Sequence, residues 1–336
     1  MSDDLQPLPP HEGVRRFLDH RKPSVRDSTL QNARTRLNWF LSWCDERDIT
    51  NLNDLTGRAL SDMVAWRRED IKAITLQKQL STIRTALRYW ADIEGVPEGL
   101  AEKLHAPELP DGAESRDVHL EADRAETMLE YLDRYQYASR RHVVMALLWR
   151  TGMRRSALRS LDVDDLRPDE HAIVLEHRID DGTRLKNGES GERWVYLGPE
   201  WFQIVADYVA DVRFEKTDDE GRRPLITSRY GRPTGDTIYT WVNEATQPCQ
   251  YGEPCPHDRD PATCEARTGY PSKCPSSRSP HGIRRGSITA HLNDGVAPEA
   301  TSERMDVSLD VLYEHYDVRT EREKMEVRKK LLDNDE

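Results

Sequence analysis

Apolar residues recur at intervals of three and four positions through most of the first hundred residues. This spacing puts them on one face of a helix, so the sequence predicts that residues 11–104 are helical throughout. The clearest run, 25–47, has apolar positions at Leu30, Ala33, Leu37, Phe40, Leu41 and Cys44. A third helix is predicted around 60–66 and a fourth over 74–93, which indicates a four-helix unit. Its basic residues are expected to form a rim, as on a solvated bundle or on a clamp around DNA: Arg67, Arg68, Lys72, Lys78, Arg84 and Arg88.

The pattern changes after residue 104. Segment 105–119 is rich in Pro, Gly, Ser and acids, which is typical of a linker. Helices are then predicted over 121–134, 140–151, 200–214, 281–294, about 308–315 and 320–332. Two β-like runs, 172–178 and 194–197, flank a segment with Gly and Asn, which indicates a hairpin. The chain is therefore predicted to be mainly α with a small antiparallel β-sheet.

The net charge of −12 is unexpected for a protein that binds nucleic acid, because phosphate contacts need cations. Only 10 of the 49 cationic residues are lysine, and many acids with few lysines favour adaptation to a high-salt cytoplasm. An acidic protein of ordinary habitat is the alternative. The charge is also uneven, since residues 134–161 carry seven arginines and no carboxylate. This stretch is suited to face phosphates whatever the overall sign.

The mean hydropathy is −0.82, and no run approaches the roughly 18 apolar residues that span a bilayer. The N-terminus, MSDDLQPLPPHEG, has neither the basic nor the apolar region of a signal peptide. These features predict a cytoplasmic protein without a membrane partner.

Five cysteines divide into one and four. Cys44 lies in an apolar helical pattern and is expected in a core. The others, Cys249, Cys255, Cys264 and Cys274, fall within the irregular segment 248–279, which has few apolar residues. A reducing compartment disfavours disulfides, so the pattern favours a structural zinc ion held by these four thiolates, with His257 as an alternative to one of them. Free thiols remain the other possibility.

Several short segments carry residues suited to cutting DNA without a metal ion. The reaction needs a nucleophile, cations for the phosphate oxygens and an acid for the leaving oxygen. Arg154 follows Thr-Gly at the end of a predicted helix, and Lys186 lies in the predicted hairpin turn. His281 and Arg284 share one face of a helix, and Tyr316 is a nucleophile candidate near the C-terminus. Each residue alone has an ordinary explanation as a cap or a solvated charge.

Taken in order, these segments resemble the tyrosine recombinase (phage integrase) family, and the likeness extends over nearly the whole chain. The family's TG-x-R-x-S pattern matches 151–156, its hairpin lysine matches Lys186, and its H-x-x-R box matches 281–284. The resemblance implies a helical, SAM-like core-binding domain over 1–104 and an α+β catalytic domain over 120–336. It further implies that Arg154 and Arg284 clamp the phosphate, Lys186 is the general acid, and His281 assists proton transfer. Tyr316 would form a 3′-phosphotyrosyl link without a cofactor.

Three positions depart from the family pattern. Ala157 stands where Glu is common, and Arg285 where His is common after the H-x-x-R box. In the third box, usually Leu-Gly-His, the chain has Met305-Asp306-Val307, and valine cannot donate a hydrogen bond to phosphate. Either another donor substitutes, such as Arg304 or His315, or the rate of the reaction is reduced. Tyr313 is a rival nucleophile, but the spacing from His281 favours Tyr316.

The resemblance implies that the partner is double-stranded DNA, on which a homo-oligomer, a tetramer, assembles. A site-specific recombinase for DNA integration or recombination is the first hypothesis, and a DNA-binding regulator with a degraded active site is the second. A zinc-dependent protein-interaction module would explain the cysteines but not the ordered Arg, Lys, His and Tyr. A type IB topoisomerase uses related chemistry but would relax supercoils without a specific site.

Overall fold

The computed structural model describes residues 5–108, 118–179, 182–317 and 319–333. The chain divides into two compact units, Met1–Arg116 and Asp117–Glu336. Most of the predicted linker, 109–117, lies outside the described residues.

The first unit is built from helices, as its periodicity predicts. They are α1 (Pro10–Arg21), α2 (Asp27–Glu46), α3 (Gly57–Arg68) and α4 (Ala73–Asp92). A proline begins α1, where its missing N–H costs nothing, and the Thr56 side chain caps α3 by accepting from the Ala59 N–H. The apolar faces of these helices therefore meet in one core.

Large aromatic side chains fill that core. Trp43 and Trp90 are fully buried, and the Trp90 indole N–H donates to the Gly13 carbonyl at 2.8 Å. A side chain at Gly13 would meet the Leu52 Cδ1 methyl at 2.5 Å, so glycine here lets α1 approach the core closely without displacing Leu52. Cys44 is also fully buried, as predicted, and burial raises the pKa of its thiol to about 12.

The predicted basic rim on this unit is wrong at Arg67. Its guanidinium is buried, lies 3.7 Å from the centre of the Trp39 ring and donates to Gln79 Oε1 at 3.1 Å. Arg84 donates to the Leu104 carbonyl at 2.6 Å. Arg68, Lys72, Lys78 and Arg88 are exposed. Sequence periodicity did not show that an arginine can fill a core edge by stacking on tryptophan.

The second unit combines ten helices and three strands within the part of the chain that the structure describes. The helices are α5 (Ala122–Tyr135), α6 (Arg140–Thr151), α7 (Arg155–Ser160), α8 (Pro199–Asp207), α9 (Gly235–Ala245), α10 (Glu265–Thr268), α11 (Pro280–Asn293), α12 (Pro298–Met305), α13 (Leu309–Val311) and α14 (Glu321–Asp333). The strands are β1 (Leu166–Arg167), β2 (Ala172–Leu175) and β3 (Arg193–Tyr196). They form an antiparallel sheet in the order β1-β2-β3, with Ile173 paired to both Leu166 and Val195. The predicted fold class is confirmed.

Helix α6 lies at the centre of this unit. It is buried on nearly every side and packs against α5, α8, α9 and α11. A second, smaller apolar cluster joins α11 to the end of the chain, and its members are Ile288, Leu292, Met305, Val307, Leu312 and Tyr316. This smaller cluster fixes the C-terminal segment onto α11.

Three helices were not predicted from the sequence, and one of them is α10, a short helix in the segment predicted to be irregular. α9 has the spacing of a helix face at Ile238, Val242 and Ala245, but it follows a segment rich in Gly and Pro. α12 is short and polar, and only Thr301 and Met305 are buried. Packing on α11, rather than local periodicity, defines α12.

None of the helices in the described ranges is long and apolar enough to cross a membrane.

Candidate active site

The Thr-Gly pair before Arg154 forms a tight helix end. Gly152 has φ +57°, and a side chain there would meet the Met305 sulfur at 2.5 Å. Thr151 Oγ1 donates to the Leu147 carbonyl at 2.6 Å and accepts from the Met153 N–H at 3.2 Å. This turn ends α6 and starts α7, and it fixes the backbone of Arg154 between two buried helices.

Arg284 lies on α11 and is held by backbone carbonyl groups. Its Nη1 donates to the Gly152 carbonyl at 2.7 Å and to the Met305 carbonyl at 2.6 Å. The side chain is 1% exposed, so it cannot move far from this position. The same arginine therefore ties the Arg154 turn to the end of α12.

Lys186 lies in the connection between β2 and β3, as predicted for the hairpin lysine. Several local bonds order this connection: the Leu185 N–H donates to His177 Nδ1 at 3.0 Å, and Ser190 Oγ donates to the Asn187 carbonyl at 2.7 Å. Gly188 has φ +66°, which lets the chain turn directly after the lysine.

The two candidate tyrosines have different environments. Tyr316 is 7% exposed, and its ring centre lies 5.4 Å from that of His281 and 5.3 Å from Arg284 Cζ. Its backbone carbonyl accepts from Thr289 Oγ1 at 3.0 Å. Tyr313 is 52% exposed and lies one turn earlier in the π-helical segment Leu312–Tyr316. The structure thus places Tyr316, and not Tyr313, beside the predicted partners.

One open cleft, with a volume of about 720 Å³, is lined by all five residues that the sequence singled out: Arg154, Lys186, His281, Arg284 and Tyr316. They come from four separate segments of the chain, since His281 and Arg284 both lie on α11. No Asp or Glu is found among the described residues that line this cleft. The arrangement can hold a phosphate anion through hydrogen bonds from two arginines, beside a phenol, an imidazole and an ammonium group.

Burial and mutual repulsion weaken the charged forms of the basic groups here. The pKa of His281 is lowered by burial and then by Arg284, Arg285, Arg154 and Lys186, so its imidazole is neutral at pH 7. Burial and Arg154 lower the pKa of Arg284. Burial also lowers the pKa of Arg193, next to this cluster, to about 10. An anion in the cleft would relieve this repulsion.

Two solved integrases resemble this chain over nearly its whole length. The Tn1549 transposon integrase, in complex with a circular intermediate DNA, is 15% identical with a TM-score of 0.70, over 96% of this chain and 99% of that chain. A lambda integrase dimer bound to a COC′ core site is 14% identical with a TM-score of 0.65, over 94% and 97%. The chain has the tyrosine recombinase (phage integrase) fold.

A shorter match is the N-terminal domain of a phage integrase/site-specific recombinase from Haloarcula marismortui. It is 38% identical over 30% of this chain and 99% of that chain, with a TM-score of 0.30. No protein-family model and no curated protein sequence matches this chain.

Within the tyrosine recombinase fold, the third box remains unusual. Val307 lines the cleft and is 5% exposed, where a hydrogen-bond donor was expected. Neither suggested substitute is among the described residues that line the cleft. Arg304 Nη2 instead donates to the Arg150 carbonyl at 3.0 Å, and His315 Nε2 lies 3.8 Å from Glu314 Oε1. Ser308, the next residue, does line it. The idea that Arg304 or His315 replaces the donor finds no support in their positions.

Sequence reasoning missed Asp306 and Asn187 as parts of this site. Asp306 pairs with Arg154 Nη1 and accepts from Asn187 Nδ2 at 2.7 Å. Asn187 lines the cleft beside Lys186. The sequence did show an acid, Asp306, at the third-box position where the family usually has glycine. Only the tertiary structure shows that this acid pairs with Arg154.

The cysteine-rich segment has a less regular arrangement than the zinc prediction requires. All four of its cysteines are free thiols. Across the described residues, no three His, Cys, Asp or Glu side chains form a group arranged to hold a metal ion. Cys255 and Cys274 lie close enough to Cys249 to help raise the pKa of its thiol, after burial, whereas backbone N–H groups lower that of Cys264. The zinc site stays a prediction.

Proposed function

We propose that the chain is a site-specific DNA recombinase that cuts and rejoins DNA through a 3′-phosphotyrosyl intermediate. The convergence of five chemically suited side chains on one cleft, with no carboxylate among its described lining residues, carries this proposal. The tyrosine recombinase fold supports it, since the solved integrases of this fold described above are bound to DNA. Double-stranded DNA is therefore the proposed partner.

Arg154 and Arg284 are proposed to hold the non-bridging oxygens of the scissile phosphate. Arginine suits this role because its planar fork binds phosphate through two hydrogen bonds and stays charged. The carbonyl contacts of Arg284 fix its orientation before DNA binds, so little reorganisation is needed as charge develops on phosphorus.

Tyr316, His281 and Lys186 are proposed to carry out the bond exchange. The Tyr316 phenol oxygen attacks phosphorus and its proton passes to the neutral His281 imidazole. The bond to the 5′ oxygen breaks, and that oxygen takes a proton from Lys186. Reversal of these steps by a second 5′ hydroxyl rejoins the DNA, so bond energy is kept and no cofactor is consumed.

Covalent trapping tests this function directly. Wild type, Tyr316→Phe and Tyr313→Phe are incubated with nicked DNA substrates from the host replicon, and denaturant-resistant protein–DNA adducts are measured. We expect an adduct in wild type and in Tyr313→Phe, and none in Tyr316→Phe. An adduct lost only in Tyr313→Phe would place the nucleophile one turn earlier. Tight DNA binding with no adduct on any substrate would contradict an active enzyme.

The alternative is a DNA-binding regulator on the same scaffold. Val307, which offers no donor in the cleft, is the observation that motivates it. A plasmid relaxation assay separates the remaining enzyme class, because a type IB topoisomerase would relax supercoils without a specific site. Crosslinking on a full DNA site tests the proposed tetramer, which should be present with DNA and depend on the site.

From cysteine spacing we also propose a structural zinc ion in segment 248–279. Zinc would draw the thiolates of Cys249, Cys255, Cys264 and Cys274 together and stabilise a segment that has little apolar core of its own. Metal analysis of purified protein should give about one zinc per chain, by the four-ligand count of such sites. Absence of metal, with four thiols that react freely in the folded protein, would contradict this.

A further inference from the structure

Asp306 occupies an unusual place in the chain. It follows the last residue of α12 with φ +55° and ψ +59°, a left-handed conformation that favours glycine or asparagine. Its side chain is 13% exposed, although a carboxylate gains most from full hydration. A strained backbone and a nearly buried charge at one residue need a compensating contact.

That contact comes from two of the cleft segments. One carboxylate oxygen pairs with Arg154 Nη1, and the other accepts from Asn187 Nδ2 at 2.7 Å. Asn187 is the residue next to Lys186 in the β2–β3 connection. A single carboxylate therefore joins the turn that carries Arg154 to the connection that carries Lys186.

The backbone around Asp306 makes a third connection. The Met305 and Asp306 carbonyls accept from Arg284 at 2.6 Å and 3.3 Å. Cations surround the carboxylate. Burial and the neighbouring arginines lower the pKa of Arg193, and the negative charge of Asp306 opposes this lowering. Asp306 thus lies where three basic elements of the cleft meet, yet it is not one of the residues that line the cleft.

A fixed carboxylate on one side of a guanidinium restricts the rotation of a long, flexible side chain and leaves its remaining donors for phosphate. For Arg154 the ion pair with Asp306 has this geometry. A small space next to the pair is lined by Ala157, the position where the first box commonly carries a glutamate. Helix α7 has no carboxylate at this position, and Asp306, at the end of α12, places one beside the same small space.

We propose that Asp306 is a positioning residue that holds Arg154 and the Lys186 connection in the geometry for phosphate attack. The proposal rests on the proposed function and extends it to a residue that does not touch the reacting atoms. The opposite role, an internal competitor that occupies Arg154 until DNA displaces it, predicts effects of the opposite sign.

The test compares Asp306→Asn with wild type. Asparagine has nearly the same size and tolerates a positive φ, so the change removes charge with little backbone strain. Glu303→Gln is the matched control, because Glu303 is exposed on α12 and the change in net charge is the same. Single-turnover DNA cleavage and DNA dissociation constants are measured for all three proteins.

We expect Asp306→Asn to slow cleavage by about 100-fold, as a small misplacement of a reacting group does, while the dissociation constant changes less than about threefold. Glu303→Gln should match wild type in both. Unchanged cleavage in Asp306→Asn would overturn the proposal. Faster cleavage or tighter binding would overturn it in favour of the competitor.

A second measurement does not depend on activity. Melting temperatures of Arg154→Gln, Asp306→Asn and the double variant report whether the two side chains interact in the DNA-free protein. We expect the double variant to shift the melting temperature by clearly less than the sum of the single shifts. Additive shifts would overturn the Asp306 proposal even in an active enzyme. A wild type without any adduct would instead overturn the proposed function.

Discussion

Two clusters of arginines in the second unit differ in how their charge is balanced. Arg154, Lys186, His281 and Arg284 line the cleft, no Asp or Glu is among its described lining residues, and the Asp306 carboxylate pairs with Arg154 from beside it. The second cluster is an ion-pair network made of Arg178, Arg222, Arg232, Asp162, Asp165 and Asp218. In this network the single Arg232 guanidinium contacts two carboxylates, Asp162 at 2.5 Å and Asp218 at 2.7 Å. With Glu176, which pairs with Arg178 at 2.9 Å, the described carboxylates of the network outnumber its three arginines, whereas cations outnumber carboxylates among the described residues of the cleft.

The difference shows that charge compensation, and not the presence of arginine, separates a structural site from an anion-binding site. In the network each guanidinium is neutralised within the fold, and removal of Arg232 takes one cationic partner from each of two buried or nearly buried carboxylates, Asp162 and Asp218. In the cleft, burial and then the neighbouring cations lower the pKa of His281 and Arg284, and the excess of positive charge remains available to a phosphate. A chain of net charge −12 can therefore bind a polyanion at one local surface.

The largest expected effect is the loss of a network cation. Arg232→Ala leaves Asp162 and Asp218 short of a partner, and each of the Arg232 and Asp162 side chains is only 5% exposed. We expect the free energy of unfolding to fall by about 3 kcal/mol, measured by urea denaturation. Arg223→Ala is the control, since its pair with Asp164 at 3.6 Å is solvent-exposed, and it should cost less than about 1 kcal/mol. Equal losses would mean that the network is not a compensated structural unit.

A change inside the cleft should affect the reaction more than the fold. Arg284→Lys keeps the charge but loses the fork that contacts two carbonyls and, in the proposed function, would bind the phosphate. We expect DNA cleavage to slow by about 10²–10³-fold with DNA affinity little changed. Arg213→Lys is the matched control, a buried arginine whose Nε donates to the Pro224 carbonyl at 2.8 Å outside the cleft. Loss of cleavage in both variants would remove the distinction between the two kinds of arginine.

The pH dependence of cleavage tests the lowered pKa of His281. Burial and the surrounding cations favour the neutral imidazole, so it can accept the Tyr316 proton at pH 7 and becomes charged only at a pH below the usual value of about 6.5. We expect cleavage to be constant from neutral pH down to that lowered pKa and then to fall about tenfold per pH unit. His281→Gln should be slower at every pH and lack this acidic limb. An acidic limb that persists in His281→Gln belongs to another group.

The smallest expected effect concerns the salt dependence of binding. Arg155 lines the cleft, and its ion pair with Asp236 is long, at 3.5 Å, and solvent-exposed. If it contacts a phosphate, Arg155→Ala should reduce the slope of log affinity against log salt by about 0.9, the value for one phosphate contact on duplex DNA. Arg223→Ala should leave the slope unchanged. Equal slopes in all three proteins would move the DNA surface away from this rim of the cleft.

The apolar periodicity of α2 and α4 determined the first helical unit, because each helix carries its buried face in its own sequence. The β-like runs before and after Lys186 likewise determined the hairpin. Helix α12 was beyond such reasoning, since its polar sequence is helical only through packing on α11. The irregular character of segment 248–280 was predicted, but whether its thiols meet around zinc depends on an ion that sequence spacing does not reveal.

For the candidate site, the sequence by itself determined which side chains have the required chemistry: two arginines, a lysine, a histidine and a tyrosine in a recognisable order. Only the tertiary structure decided that Tyr316 rather than Tyr313 lies beside His281, and that Arg67 is buried on Trp39. It also decided that Asp306 pairs with Arg154, a residue 152 positions away in the chain. The physical reason is that residue chemistry and local periodicity are properties of short segments, whereas charge compensation depends on which distant segments the fold brings into contact.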